Sequence, residues 1–187
     1  MYLLDEDYFE LTTLYNSLLN SLKNDFINNY EVTLENALAY IQDFYAKLPN
    51  LTSETINLSI YNIPSNGILS LYGFQLCRYT NILLYDFLNI LNMSPIKQYI
   101  YIDDNNDWHQ VNITDANHIV ICIIQNENKL FLDLYNNIYF RDNLAPITIP
   151  DKIFVTNSQV FEELDSITSL MNKYINAIKL GIKHLYN

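Results

Sequence analysis

Apolar side chains recur at three- and four-residue steps near the start of the chain: Tyr8, Leu11, Tyr15, Leu18, Leu22 and Phe26 fall on one stripe. This spacing predicts an amphipathic helix over residues 5–27, with acids in its first turn where the helix dipole favours them. Thr33 ahead of Leu34-Glu35-Asn36-Ala37 reads as an N-cap, so a second helix is expected from there to about Lys47, where Leu48-Pro49-Asn50 stops it. Residues 50–70, rich in Asn and Ser with Pro64 and Gly67, read mainly as an irregular connection. Beyond Gly73, the positions Leu83, Leu84, Phe87, Leu88 and Leu91 return to helical spacing. Cys77 therefore stands near the start of a buried helix, which Met93-Ser94-Pro95 ends.

The pattern then changes period. Gln98-Tyr99-Ile100-Tyr101-Ile102 alternates like a strand and runs into a polar turn, Asp103 to Asp107. His118 opens a β-branched run, Ile119 to Ile124, followed by a turn at Asn126-Glu127-Asn128 and a second run, Lys129 to Leu134. That is a hairpin with His118 at one end and Asp133 near the other. Ile138-Tyr139-Phe140 and Lys152-Ile153-Phe154-Val155 are candidates to extend the same antiparallel sheet. After Asn157 or Ser158, the stripe Val160, Leu164, Ile167, Met171, Tyr174, Ile178 and Leu185 predicts a long closing helix.

Helices followed by consecutive strands make an α+β domain. At 187 residues one domain is expected, divided as a helical extension over 1–32, a core over 33–157 and a C-terminal helix over 158–187. Half the residues are apolar and Gly and Pro are scarce, the profile of a folded chain. The 21 acidic against 10 basic residues give a formal charge of -11, which repels phosphate backbones and anionic lipids and argues against nucleic acid or a membrane as partner. The start carries no basic n-region and no apolar run reaches the roughly 18 residues of a membrane span, so a cytoplasmic protein is expected, compatible also with specialised secretion. Two cysteines 45 positions apart fit a reducing compartment better than a disulfide framework. With no zinc-ligand spacing and no glycine-rich phosphate loop, no metal and no cofactor are expected.

Acyl transfer by cysteine requires a thiolate, a base that takes and returns a proton, and a group that orients the base. A thiol at a helix N-terminus gains the first requirement from the dipole and the unpaired N–H groups. His118 and Asp133, 15 positions apart on adjacent antiparallel strands, are placed to meet and supply the other two. Tyr72-Gly73-Phe74-Gln75-Leu76-Cys77-Arg78-Tyr79-Thr80, the His118 strand, the Asp133 strand and the following Asn137-Ile138-Tyr139-Phe140-Arg141-Asp142 together resemble the transglutaminase-like superfamily. This papain-like group includes transglutaminases, microbial cysteine proteases, peptide N-glycanases and bacterial deamidases. The resemblance covers roughly residues 33–142. It implies a catalytic helix packed on an antiparallel sheet and a Cys77-His118-Asp133 triad. It further implies a cysteine hydrolase or acyltransferase acting on a protein or peptide amide through a thioacyl intermediate. Gln75 is then a candidate oxyanion-hole contributor, and Trp108 a further candidate beside the substrate.

Blander readings compete at each position. A cysteine on an apolar helix is commonly a small buried hydrophobe, a strand-edge histidine is commonly solvated, and an aspartate commonly ends a strand. His109 ranks second to His118 as base, His184 is most simply a cation near a helix C-terminus, and Cys122 is expected in the core. The alternative to an enzyme is an inactive transglutaminase-like fold that binds a protein partner through its Tyr-rich helices.

Overall fold

The structure, a computed structural model, describes residues 3–51, 63–151 and 153–179. Its elements run in the order α1 (Leu3–Asn29), α2 (Leu34–Ala46), α3 (Asn66–Tyr72), α4 (Cys77–Ile90), β1 (Ile96–Ile102), β2 (Trp108–Gln110), β3 (His118–Gln125), β4 (Asn128–Asp133), β5 (Ile138–Arg141) and α5 (Ser158–Lys179). A single 3-10 turn, Ile113–Asp115, precedes β3. The mixed helix and sheet content is that of an α+β fold. The expected closing positions His184 and Leu185, and Lys152, lie outside the described residues, as does most of the 50–70 connection.

Local chemistry accounts for the boundaries. Thr33 caps α2, its hydroxyl accepting from the Asn36 N–H at 3.1 Å, and the Lys47 N–H closes the other end on the Phe44 carbonyl. The connection before Cys77 is not wholly irregular, because α3 occupies its last part. Ser65 caps that helix on the Gly67 N–H, and Gly73 ends it at φ +120°, a conformation few side chains tolerate. Five of its seven residues, Gly67 to Leu71, are buried. With most of its surface inside there is no polar face to reveal a helical period.

The sheet is antiparallel throughout, in the order β2-β1-β3-β4-β5. Cys122 faces Phe131 and Ile121 faces Leu132 across the β3–β4 hairpin, which turns through Asn126 and Glu127, both at positive φ. Trp108–Gln110 adds an edge strand on β1 that the alternation did not signal. The segment around Ile153 to Val155 does not join the sheet. Ile153 and Val155 point into the core, while the Phe154 N–H and C=O both bond the Tyr30 hydroxyl, and the Val155 N–H donates to Asp43.

One hydrophobic cluster draws on α1 (Leu18, Phe26), α2 (Tyr40, Phe44), α3 (Ile68), α4 (Phe87), the sheet (Ile121, Leu132) and α5 (Ile167, Met171). Both terminal helices thus pack into the same core as the elements between them. Tyr40 stacks on Phe87 at 5.6 Å, and Phe26 meets both rings at 5.3 and 6.1 Å, fixing α1, α2 and α4 to each other. A smaller cluster of Ile100, Val120, Cys122 and Phe131 lies on the other face of the sheet, as the two-residue period of β3 requires.

Candidate active site

Cys77 is the first residue of α4, behind Leu76, whose side chain makes no capping bond. The Tyr79 and Thr80 N–H groups close on the Leu76 carbonyl at 2.9 and 2.8 Å, which leaves the Cys77 and Arg78 N–H groups without a helical or side-chain cap acceptor at the thiol end of the helix. α4 packs directly on β3, which brings its first turn beside the start of that strand. His118 is the first residue of β3 and Asp133 the last of β4. Because the strands run antiparallel, those two ends coincide.

His118 Nε2 stands 2.6 Å from Asp133 Oδ2, with both side chains buried. The His118 ring, with Nδ1 left over, stands beside the thiol of Cys77, as do the Ile119 and Arg78 backbone N–H groups. Burial raises the pKa of Cys77, but the hydrogen bond from His118 and these two backbone donors outweigh it and hold the thiol below its ordinary range. Burial likewise works against the charged imidazole, and the bonds to Asp133 and Cys77 overcome it, lifting His118 to about 9. The two shifts run in opposite directions and both favour the thiolate–imidazolium form of the pair over the neutral one. Burial would raise Asp133 too, yet its hydrogen bonds to His118 and Asn81 keep it below the usual carboxylate range.

Asp133 is 0 % exposed, and its carboxylate is fully engaged. Oδ2 accepts from His118 and, at 2.9 Å, from Asn136 Nδ2. Oδ1 accepts from Asn81 Nδ2 at 2.9 Å and from the Asn136 N–H at 3.2 Å. Asn81, one helical turn beyond Cys77 and fully buried, also donates to the Ile119 carbonyl at 2.7 Å and accepts from the Leu134 and Tyr135 N–H groups. A single amide thus ties the helix bearing Cys77 to the strand bearing His118 and to the turn after Asp133. Sequence reasoning missed Asn81. The available signal was a polar residue at i+4 from Cys77 inside an apolar helical run.

Trp108 packs edge-on against the His118 ring at 5.8 Å and against Phe140 at 5.1 Å, walling the imidazole from the β2 side. Tyr135 lies on another side of the ring at 6.4 Å. Gln75 is directed elsewhere: its Nε2 donates to the Pro49 carbonyl at 3.2 Å, and it does not line the cleft in front of Cys77. Its side chain anchors the loop that leads into α4. His109 is exposed on β2 and bonds Asp103 at 2.8 Å, away from the thiol. Cys122 is a buried core thiol whose pKa burial pushes up to about 11, and both cysteines are free.

A cleft of about 620 Å³ opens in front of the thiol, with Leu76, Cys77 and Arg78 on the helix side, Lys97 and Tyr99 from β1, and Ile113 and His118 beyond. Cys77 is partly exposed to it while the imidazole and carboxylate stay inside. Among the described residues no group of three or more His, Cys, Asp or Glu side chains is placed to hold a metal ion, and no helix is long and apolar enough to cross a membrane. Neither a protein-family model nor a curated protein nor a solved structure matches the chain.

Proposed function

We propose that this chain is a cysteine-dependent amide hydrolase or acyltransferase of transglutaminase-like type, with Cys77 as nucleophile, His118 as proton shuttle and Asp133 as orienter. The observation that carries the reading is the buried 2.6 Å bond from His118 Nε2 to Asp133, which leaves the other ring nitrogen to a thiol at a helix N-terminus. A core cysteine needs neither the imidazole nor the cleft.

In the reaction, the Cys77 thiolate attacks an amide carbonyl, forming the C–S bond while the π electrons move to oxygen. The Cys77 N–H, which has no acceptor at the start of α4, is the backbone donor available to the developing oxyanion. His118 gives its proton to the amide nitrogen as the C–N bond breaks, leaving a thioester and a neutral imidazole. The imidazole then takes a proton from the incoming nucleophile, which displaces the thiolate and restores the ion pair. Water as nucleophile gives hydrolysis or deamidation, and an amine gives cross-linking. Asp133 keeps its negative charge throughout and holds the ring in one orientation.

Iodoacetamide labelling of the native protein from pH 5 to 9, with Cys77 and Cys122 resolved by mass spectrometry, tests this reading. Rapid labelling confined to Cys77 and slowed in His118→Ala supports it. Slow labelling of both thiols removes it and leaves the fold as an interaction module.

A further inference from the structure

Deepening the acyl-transfer reading and resting on it, we propose that Arg78 and Lys97 make the cleft selective for a peptide whose Asp or Glu carboxylate flanks the reacting amide. The chain carries 21 acidic and 10 basic residues, yet among the described residues the side chains lining the cleft include Arg78, Lys97 and His118 and not one Asp or Glu. The local charge is therefore opposite to that of the molecule.

The two cations come from different walls. Arg78 rises from the first turn of α4, next to the nucleophile, and Lys97 from β1. Among the described residues neither has a carboxylate within ion-pair distance. Each instead lies against an aromatic face, the Arg78 guanidinium 4.9 Å from the Tyr79 ring and the Lys97 ammonium 4.7 Å from the Tyr85 ring. Such contacts restrict a long side chain without neutralising its charge. Asp86, in an adjoining cavity, is the acid that feels Lys97. Its carboxylate is bonded to Tyr15 and Ser65 and stands beyond ion-pair distance of Lys97, which lines both cavities, so it offsets the lysine charge only in part. The uncapped N-terminus of α4 adds positive potential of the same sign. Since the net charge of -11 repels anions from afar, an acidic peptide gains only when its carboxylate comes within range of these two side chains, which favours short-range selection over steering.

The test compares two alkylating agents on the full chain at low salt. Iodoacetate carries a carboxylate beside its reacting carbon and iodoacetamide does not, so the ratio of their rate constants at Cys77 reads the charge felt at the site and divides out changes in the thiol itself. The ratio should fall roughly threefold in Arg78→Gln and in Lys97→Gln and about tenfold in the double variant, the size expected of unit charges several ångströms apart near water. Arg78→Lys and Lys97→Arg should preserve it. A Cys77 that reacts rapidly with iodoacetamide but shows the same ratio in the double variant overturns the role of the two cations. A thiol slow toward both reagents instead sinks the acyl-transfer reading on which it rests.

Discussion

The tightest chemistry in the molecule surrounds the Asp133 carboxylate, where four donors fill four acceptor positions inside the protein. Two of those donors belong to Asn136 and one to Asn81, so the orientation of the His118 ring depends on amides as much as on the charge itself. Replacing Asn81 by Ala leaves the Ile119 carbonyl, the Leu134 N–H and Asp133 Oδ1 each short of a partner. A loss of about 2 kcal/mol in urea-unfolding free energy is expected, together with at least a tenfold slower iodoacetamide reaction at Cys77. A variant with the stability loss and an unchanged thiol rate would make Asn81 a structural tie only. The ion pair sets the pH response. Labelling of Cys77 should already be rapid below the roughly 8.5 of an ordinary thiol, and the part that depends on imidazolium should fade as pH passes about 9. In His118→Ala the profile should revert to one rise at the ordinary thiol pKa or above. That His118 and Asp133 meet was legible in the sequence because period-2 patterning fixed which ends of β3 and β4 adjoin, and Cys77 was legible from the start of the apolar helical spacing. Asn136 was not, since Asn recurs all along this chain, and the same abundance masked the one signal of Asn81, its i+4 offset from Cys77 within an apolar run.

At the scale of elements, the loop between α3 and α4 places Cys77, and it is pinned from behind. The Leu51 N–H donates to the Gly73 carbonyl at 2.8 Å, and Gln75 reaches the Pro49 carbonyl. A Cβ on Gly73 would stand 2.9 Å from Leu51 Cγ and 3.2 Å from the Pro49 carbonyl oxygen, at a φ of +120° that side chains rarely adopt. Gly73→Ala should therefore cost about 2 kcal/mol or more in thermal or urea unfolding. It should also slow alkylation of Cys77 by displacing the 49–51 backbone that anchors the loop. Wild-type stability in this variant would mean the loop relaxes freely and plays no part in placing the thiol. α1, α4 and α5 were legible from the spacing of their apolar positions, and α2 from its Thr33 cap and the Leu48-Pro49-Asn50 stop. α3 was not, because it is buried nearly all round, and neither was β2, whose three residues are too few to show a period. Residues 153–155 failed in the opposite sense. Ile153 and Val155 alternate inward as a strand would, but a Tyr30 side chain, not a neighbouring strand, satisfies the Phe154 backbone.

The molecule as a whole combines an acidic surface with buried carboxylates that have been given donors. Asp25, 4 % exposed, joins three distant parts of the chain: Tyr40 of α2 donates to Oδ2 at 2.7 Å, and the Thr156 N–H and hydroxyl donate at 3.0 and 2.6 Å. Burial opposes its charge, but these bonds prevail and its pKa lies below the ordinary value, as it does for Asp133. A carboxylate depressed in the folded state contributes stability that is complete above its unfolded pKa of roughly 3.9 and is lost as pH falls through the folded value. His118 works in the other direction. Raised to about 9, it contributes fully below its unfolded pKa of roughly 6.5, and that contribution drains away as pH climbs toward 9. The three groups together stabilise the fold most between about pH 4.5 and 6.5. Urea unfolding of the wild type and His118→Ala across pH 4.5 to 10 separates the contributions. The gap between the two proteins should be widest at pH 5 to 6 and should narrow steadily as pH rises through 9. Asp25→Ala should lower stability at all these pH values, by about 3 kcal/mol, because it strips acceptors from Tyr40 and Thr156 at once. A gap between wild type and His118→Ala that stayed constant with pH would mean the imidazole is not held as a cation by Asp133 and Cys77. The ion pair on which the proposed activation of Cys77 rests would then be absent as well.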